Sequence, residues 1–426
     1  MVEITHASWA GALRSPALAR AADGLAFAAV VALPWSTSMT GIAVGLWLVA
    51  LLPTLDLAAL RREVMTPAGG LPVLLWLVAA LGMLWAEADW GQRFHALGAY
   101  VKLLSIPLLL VQFRGSDRGW HVIAGYLASV TALMLASWII TAFPALGPPG
   151  PMPGVPGIFG VPVKDPITQS GEFVACIFGL LYLAGDLWVA RRRRLAGLCV
   201  AVAAAMLANI AYVVNSRTSL LVIPVLLVML AILRLRWKGR IALALAGVVL
   251  AAAAWQSSPY LRMRVQFVST EIADHEGGGV KTSGGQRLAY WGRSVTLIKQ
   301  APLIGHGTEP IDTIFARART NETGLDAVIT ANPHNQTLAV ALRLGLIGVV
   351  ALIAMWAAHL LLFCVGGLAG WLGLVIVVQN IVSSLFNSHL LDFTQGWTYV
   401  FGVGVIGGLV RRGVRAPAAL QPPPPP

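Results

Sequence analysis

The chain has 426 residues, 57% of them hydrophobic and 11% charged, with a formal net charge of +12. Soluble domains run at roughly 45–50% apolar and about 25% charged residues, and surface-to-volume scaling caps the fraction that a soluble fold of this size buries at about 75%. A soluble globular fold is therefore excluded, and lipid is the solvent the composition implies.

Spanning structures in lipid are helices or closed barrels, because every backbone polar group must find an internal partner. Continuous apolar runs of about 20 residues have helix length, twice what a barrel strand needs. The positive charge does not form a nucleic-acid footprint. Of the 30 Lys and Arg, 17 fall in short gaps on one side of the apolar runs, which is the distribution the positive-inside rule produces.

Taken in chain order, the runs predict spans at about 18–36, 38–60, 70–87, 95–113, 119–143, 169–189, 195–214, 218–235, 241–256, 335–363, 368–387 and 395–411. The first run has no small-residue cleavage site behind it and is expected to stay as a helix. The even-numbered gaps and both ends carry Arg14 and Arg20, Arg61 and Arg62, Arg114 and Arg118, Arg191 to Arg194, Arg234 to Arg240, and Arg411 to Arg415. The expected fold is thus an all-α polytopic membrane protein with about 12 transmembrane helices and both termini cytoplasmic. Residues 1–256 hold nine helices, 257–334 form one large outward loop, 335–411 hold the last three helices, and 412–426 are a Pro-rich tail.

Loops longer than about 15 residues are usually functional or disordered, which draws attention to 257–334. Within it Gly284 to Ile304 reads as a helix with Leu288, Trp291, Val295 and Ile298 on one face, an amphipathic face suited to the membrane surface. Residues 144–168, rich in Pro and Gly, read as an irregular loop. The cysteines Cys176, Cys199 and Cys364 all lie in apolar runs and are expected to pack as small hydrophobes.

Cations on the outward side run against the bias that sets the topology. Arg217 sits in Asn215-Ser216-Arg217-Thr218 between two spans, Arg264 just past the ninth span, and Arg287 and Arg293 on the loop helix. Lys102 and Arg343 fall inside spans, where a charge costs roughly 2.5–3.5 kcal/mol on insertion scales. Arginines gathered at one rim suit bidentate capture of phosphate oxygens at headgroup depth, and they equally suit snorkelling to lipid phosphates. His334, in Asn332-Pro333-His334-Asn335-Gln336, directly precedes the tenth span. The positive end of a helix disfavours imidazolium, so His334 reads either as a neutral base or as a capping histidine. Glu87-Ala88-Asp89 could imitate a paired-carboxylate metal site but reads better as helix-end solvation, and no two histidines show metal-ligand spacing.

The order of these features resembles the O-antigen ligase and polymerase superfamily of bacterial envelope glycosyltransferases. The matching pieces are Asn215-Ser216-Arg217-Thr218, Arg264, and Gln286-Arg287-Leu288-Ala289-Tyr290-Trp291 running to Ile298. After these come Pro302-Leu303-Ile304-Gly305 with Gly307, then Pro333-His334-Asn335, Leu338 and Gly345-Leu346-Ile347-Gly348. The motifs cover roughly residues 200–350. The resemblance implies a GT-C-like architecture in the bacterial inner membrane and metal-independent, inverting transfer of a glycan from undecaprenyl pyrophosphate on the periplasmic face. No cofactor is implied. By motif, His334 would deprotonate the acceptor hydroxyl, Arg217 and Arg287 would hold the pyrophosphate, and Arg264 is a weaker match. Lys102 and Arg293 are further candidates for anion contact.

The acceptor separates the members. A short tail in place of an added outward domain argues against a protein acceptor. The compact design favours a ligase acting on lipid A core over a polymerase, and membrane lipids are the remaining partners expected. A transporter or lipid flippase with the same helix count is the alternative of a different class. Transporters often show internal repeats and midplane charges, whereas here the halves show no convincing repeat and the charges gather at the rim.

Overall fold

A computed structural model describes residues 16–147, 160–214, 216–257, 283–319 and 328–413, and every regular element among them is helical. The helices are α1 (Pro16–Ala32), α2 (Thr37–Leu51), α3 (Leu57–Val64), α4 (Pro67–Gly82), α5 (Trp90–Val101), α6 (Ser105–Gly115), α7 (Gly119–Ala142), α8 (Pro166–Val189) and α9 (Arg193–Tyr212). They continue as α10 (Arg217–Arg234), α11 (Trp237–Ser257), α12 (Ser283–Gln300), α13 (Ile311–Arg317), α14 (Gln336–Phe363), α15 (Gly367–Ser383), α16 (Phe393–Phe401) and α17 (Gly407–Arg412). A 3₁₀ turn joins α5 to α6, and a π turn joins α16 to α17.

Among the described residues, eight helices are long and apolar enough to cross a membrane, or nine if α3 and α4, bent by 82°, count as one span. Sequence reasoning expected twelve. Helices α1, α11 and α15 lie where the other three were expected, and α1 and α15 have 17 residues each. Capping chemistry starts several helices one to five residues ahead of the expected limits. Ser36 caps α2 by accepting from the Met39 amide, Asp89 caps α5 through the Gln92 amide, and Asp165 caps α8 through the Ile167 and Thr168 amides.

The surface is what lipid requires. Met39, Ile42, Leu46 and Val49 form an exposed stripe on α2, and Leu221, Val225, Val228 and Ile232 form another on α10. These spacings keep one face of a 3.6-residue helix turned outward. Polar groups turn inward instead. The Asp23 carboxylate accepts from Gln112 and Ser116, and buried Glu63 pairs with Arg411 at 3.1 Å. Those contacts gather at one end of the bundle, and the loops around residues 82–93, 160–165, 302–309, 330–335 and 384–392 contact one another or the helix ends at the opposite end.

Helix α14 is two helical pieces. Gly345 has φ 59° and ψ −155°, and the α-helical ladder breaks there. The segment from Pro302 to Thr308 seats in the break. His306 and Gly307 donate their amides to the Leu342 and Arg343 carbonyls at 2.8 and 2.9 Å, while the Leu346 and Ile347 amides donate to the Pro302 and Leu303 carbonyls at 2.8 and 3.2 Å. Four groups that the break would strand are thereby satisfied. The approach is close enough to require glycine on both sides. A Cβ on Gly345 would lie 2.4 Å from the Leu303 carbonyl, and one on Gly305 would lie 2.5 Å from the Arg343 backbone.

Lys102 and Arg343, the charges that the sequence places inside spans, both end on backbone carbonyls. The Arg343 Nε donates to the Glu309 carbonyl at 2.8 Å, and the Lys102 ammonium donates to the Leu391 and Asp392 carbonyls at 2.9 and 2.5 Å. Carbonyl dipoles thus stabilise each charge, and the Asp392 carboxylate adds a favourable charge near Lys102.

Gly345→Ala is expected to combine a conformational penalty of about 1–3 kcal/mol with a steric clash, lowering the unfolding midpoint in detergent. Gly366→Ala, at an exposed position with open space around the added carbon, should leave the midpoint within error of the parent.

Candidate functional site

The loop helix α12 forms about where the sequence predicts it, and Ala289, Arg293, Ser294 and Leu297 pack inward. Leu288 and Val295 stay exposed. Leu297 joins Ile311, Ile314, Phe315, Ala339 and Leu342 in a small apolar core that fixes α12 and α13 to the first half of α14. Glu309 reinforces this joint. Its carboxylate accepts the Ala88 amide at 2.7 Å and both Arg317 guanidinium nitrogens at 3.0 and 2.8 Å.

Glu87 and Asp89 hold structural contacts. Glu87 pairs with Arg317 at 3.1 Å, and Asp89 is the α5 cap. Arg93 donates to the Ala88 and Met83 carbonyls at 2.6 and 2.7 Å.

His334 sits on a strained turn immediately before α14, with φ 53° in the left-handed region. Asparagines hold the turn. The Asn332 Oδ1 accepts the His334 amide and the Ser388 hydroxyl, each at 2.8 Å. Asn335 caps α14 by accepting the Leu338 amide at 3.1 Å. The Trp291 indole donates to the Pro333 carbonyl at 2.9 Å, and the Tyr290 ring stacks on the imidazole with centroids 6.3 Å apart. One turn of α12 earlier lies half-buried Arg287.

The imidazole Nδ1 lies 3.1 Å from the Asn387 Oδ1. Burial holds His334 below the ordinary histidine range, with the nearby Arg287 and His389 pushing the same way and Asn387 and the Asp392 charge opposing them. The sequence reading attributed a neutral His334 to the helix dipole. The structure adds desolvation and a neighbouring guanidinium.

The partner segment 384–392, between α15 and α16, escaped sequence reasoning. Asn387 reaches His334, and His389 and Asp392 approach each other at 3.4 Å between Nδ1 and Oδ2. Part of the signal was available: the gap after the eleventh expected span falls on the outward rim and carries His389 and Asp392, whereas Asn387 fell at the end of that expected span. Lys102 buttresses this segment through the two carbonyls already described, behind His334. Arg293 ties α12 to the end of α13 through the Ala318 carbonyl.

Arg217 opens α10 and is half-buried. Its neighbours Thr218 and Ser219 line a small, mostly apolar cavity of about 40 Å³ that Thr168, Glu172, Gln379, His389 and Gln395 also reach. His389 thus connects the start of α10 to the segment that holds His334. Arg264 lies outside the described residues.

These features define an all-helical membrane protein with a histidine- and arginine-bearing site at one end of the bundle. Residues 202–353 match the family model for O-antigen ligase, and that match supports the O-antigen ligase family for this chain. The match contains Arg217, Arg264, Arg287 and His334, and it supports an enzyme of the ligase and polymerase superfamily. No curated protein matches the chain.

Trp291→Phe keeps the ring but removes the bond to Pro333, a loss of about 1 kcal/mol. It is expected to speed amide exchange at His334 and Leu338 while leaving exchange across α8 unchanged.

Proposed function

We propose that the protein is an inverting, metal-independent glycosyltransferase of the ligase type. It would move an O-antigen glycan from undecaprenyl pyrophosphate to the lipid A core on the periplasmic face of the inner membrane. The observation that carries this reading is the His334 turn, with one imidazole nitrogen engaged on Asn387 and Arg287 nearby on α12, within the segment that matches the family.

A sugar hydroxyl is a poor nucleophile and gains from a positioned base. Pyrophosphate is a good leaving group that needs its charge met more than it needs a proton. In the proposed step the acceptor oxygen bonds to the anomeric carbon of the donor as the bond from that carbon to pyrophosphate breaks. The hydroxyl proton goes to His334 Nε2, and the lipid pyrophosphate leaves as an anion between Arg217 and Arg287, with Arg264 a third candidate contact. A single displacement inverts the anomeric centre. Lys102 and Arg293 act from behind, through the backbone carbonyls they hold.

Purified protein incubated with lipid-linked glycan and lipid A core tests the assignment. His334→Ala should remain folded and abolish transfer, and full retained transfer would overturn the base role. Elongated donor in the absence of core would identify a polymerase, and movement of donor across the bilayer without transfer would identify a flippase. Arg217→Lys should recover only part of the activity lost in Arg217→Ala, because an ammonium cannot reproduce a bidentate contact.

The base acts in its neutral form, so transfer should fall as pH drops through the His334 pKa. That limb is expected below about 6.5, the ordinary histidine value. Arg287→Gln removes a cation that favours the neutral ring, so the limb should move to higher pH as donor use weakens.

A further inference from the structure

We propose that Asn387 is a positioning residue that fixes the tautomer of His334, holding the proton on Nδ1 and leaving Nε2 as the basic nitrogen. The inference rests on His334 being the base and adds the group that makes it competent.

The orientation of the Asn387 amide follows from the backbone. Its Oδ1 lies 3.0 Å from the Ser388 amide nitrogen, which can only donate, and 3.1 Å from the Asn332 Nδ2. Its Nδ2 faces the Asp392 Oδ2 at 3.4 Å, which can only accept when ionised. The atom facing His334 Nδ1 at 3.1 Å is therefore a carbonyl oxygen. A carbonyl cannot donate, so the hydrogen bond exists only when Nδ1 carries the proton. In the neutral ring that leaves the lone pair on Nε2.

The choice of an amide has a chemical consequence. A carboxylate at this position would orient the ring equally well but would raise its basicity and set a negative charge beside the proposed pyrophosphate. The amide orients without adding charge. When Nε2 takes the acceptor proton, the Nδ1 proton stays where it is, no proton passes to Asn387, and the imidazolium returns its extra proton to solvent. The titratable and charged groups around the ring are Arg287 and Tyr290 on α12 and His389 and Asp392 on the 384–392 segment.

The test measures His334 in two independent ways in purified protein: the pH profile of transfer, and the pH dependence of His334 carbethoxylation followed by mass spectrometry. Asn387→Leu keeps the volume and removes the acceptor. It is expected to reduce transfer at least about tenfold, as loss of a partner behind a functional histidine does elsewhere, and to shift the carbethoxylation midpoint to lower pH. Asn387→Asp combined with Asp392→Asn exchanges amide and carboxylate at constant net charge, and preserves a donor facing an acceptor between the two positions. With a carboxylate against Nδ1, both midpoints should rise by about one unit or more.

A carbethoxylation midpoint that ignores both changes overturns the proposal, whatever happens to activity, because a merely structural Asn387 would lower yield or rate without moving it. Shifted midpoints combined with full transfer by His334→Ala would uphold the Asn387 contact and reject the base assignment on which its catalytic meaning rests.

Discussion

Hydrocarbon offers no hydrogen bonds, so a break in a spanning helix lasts only where other groups take up the stranded amides and carbonyls. The break at Gly345 meets that requirement with the Pro302–Thr308 segment, which supplies two donors and two acceptors to the open ladder. Much else in the structure depends on this joint. It divides α14 into two pieces, fixes the loop helices α12 and α13 against the first piece, and so sets the position of the turn that carries His334. The family motif around Pro302 and Gly305 is in this sense structural: its glycines let two backbones approach, and the carbonyls and amides do the rest.

Apart from Arg317, which pairs with Glu87 and Glu309, the cations discussed at this end of the bundle divide into two groups. Lys102, Arg93, Arg293 and Arg343 terminate on backbone carbonyls, and Lys164 reaches the Leu33 carbonyl and the Thr394 hydroxyl. A carbonyl dipole satisfies a buried ammonium or guanidinium without importing a second charge that must also be desolvated. Arg217 and Arg287 differ in placement, one opening α10 and the other lying a turn from the Tyr290 and Trp291 pair that brackets the histidine. The division explains how one rim can hold many cations while only some bear on the proposed chemistry.

Around His334 the polar groups are mostly amides: Asn332, Asn335 and Asn387 all bond to the turn or to the ring. Amides hold geometry without charge. A neutral base and an anionic leaving group place opposite demands on local electrostatics, since carboxylates strengthen the base and repel the anion. Burial and Arg287 keep the imidazole neutral, and the asparagines keep it aimed.

The helical membrane class and the positions of most helices were legible in the sequence because hydropathy and charge placement are local properties that lipid enforces segment by segment. The span count was less legible, since α1 and α15 run only 17 residues and a bend of 82° separates α3 from α4. The residues of α12 that pack inward were not legible, because its partner, α14, decides which face is covered. Asn387, His389 and Asp392 lie more than fifty positions from His334, and no local pattern announces that pairing. What the sequence by itself determined is the solvent, the secondary structure and the candidate chemistry of individual residues. Only the tertiary structure decided which cations hold backbone and which stay with the site, and which nitrogen of His334 is engaged, because those outcomes depend on partners that distant segments bring together.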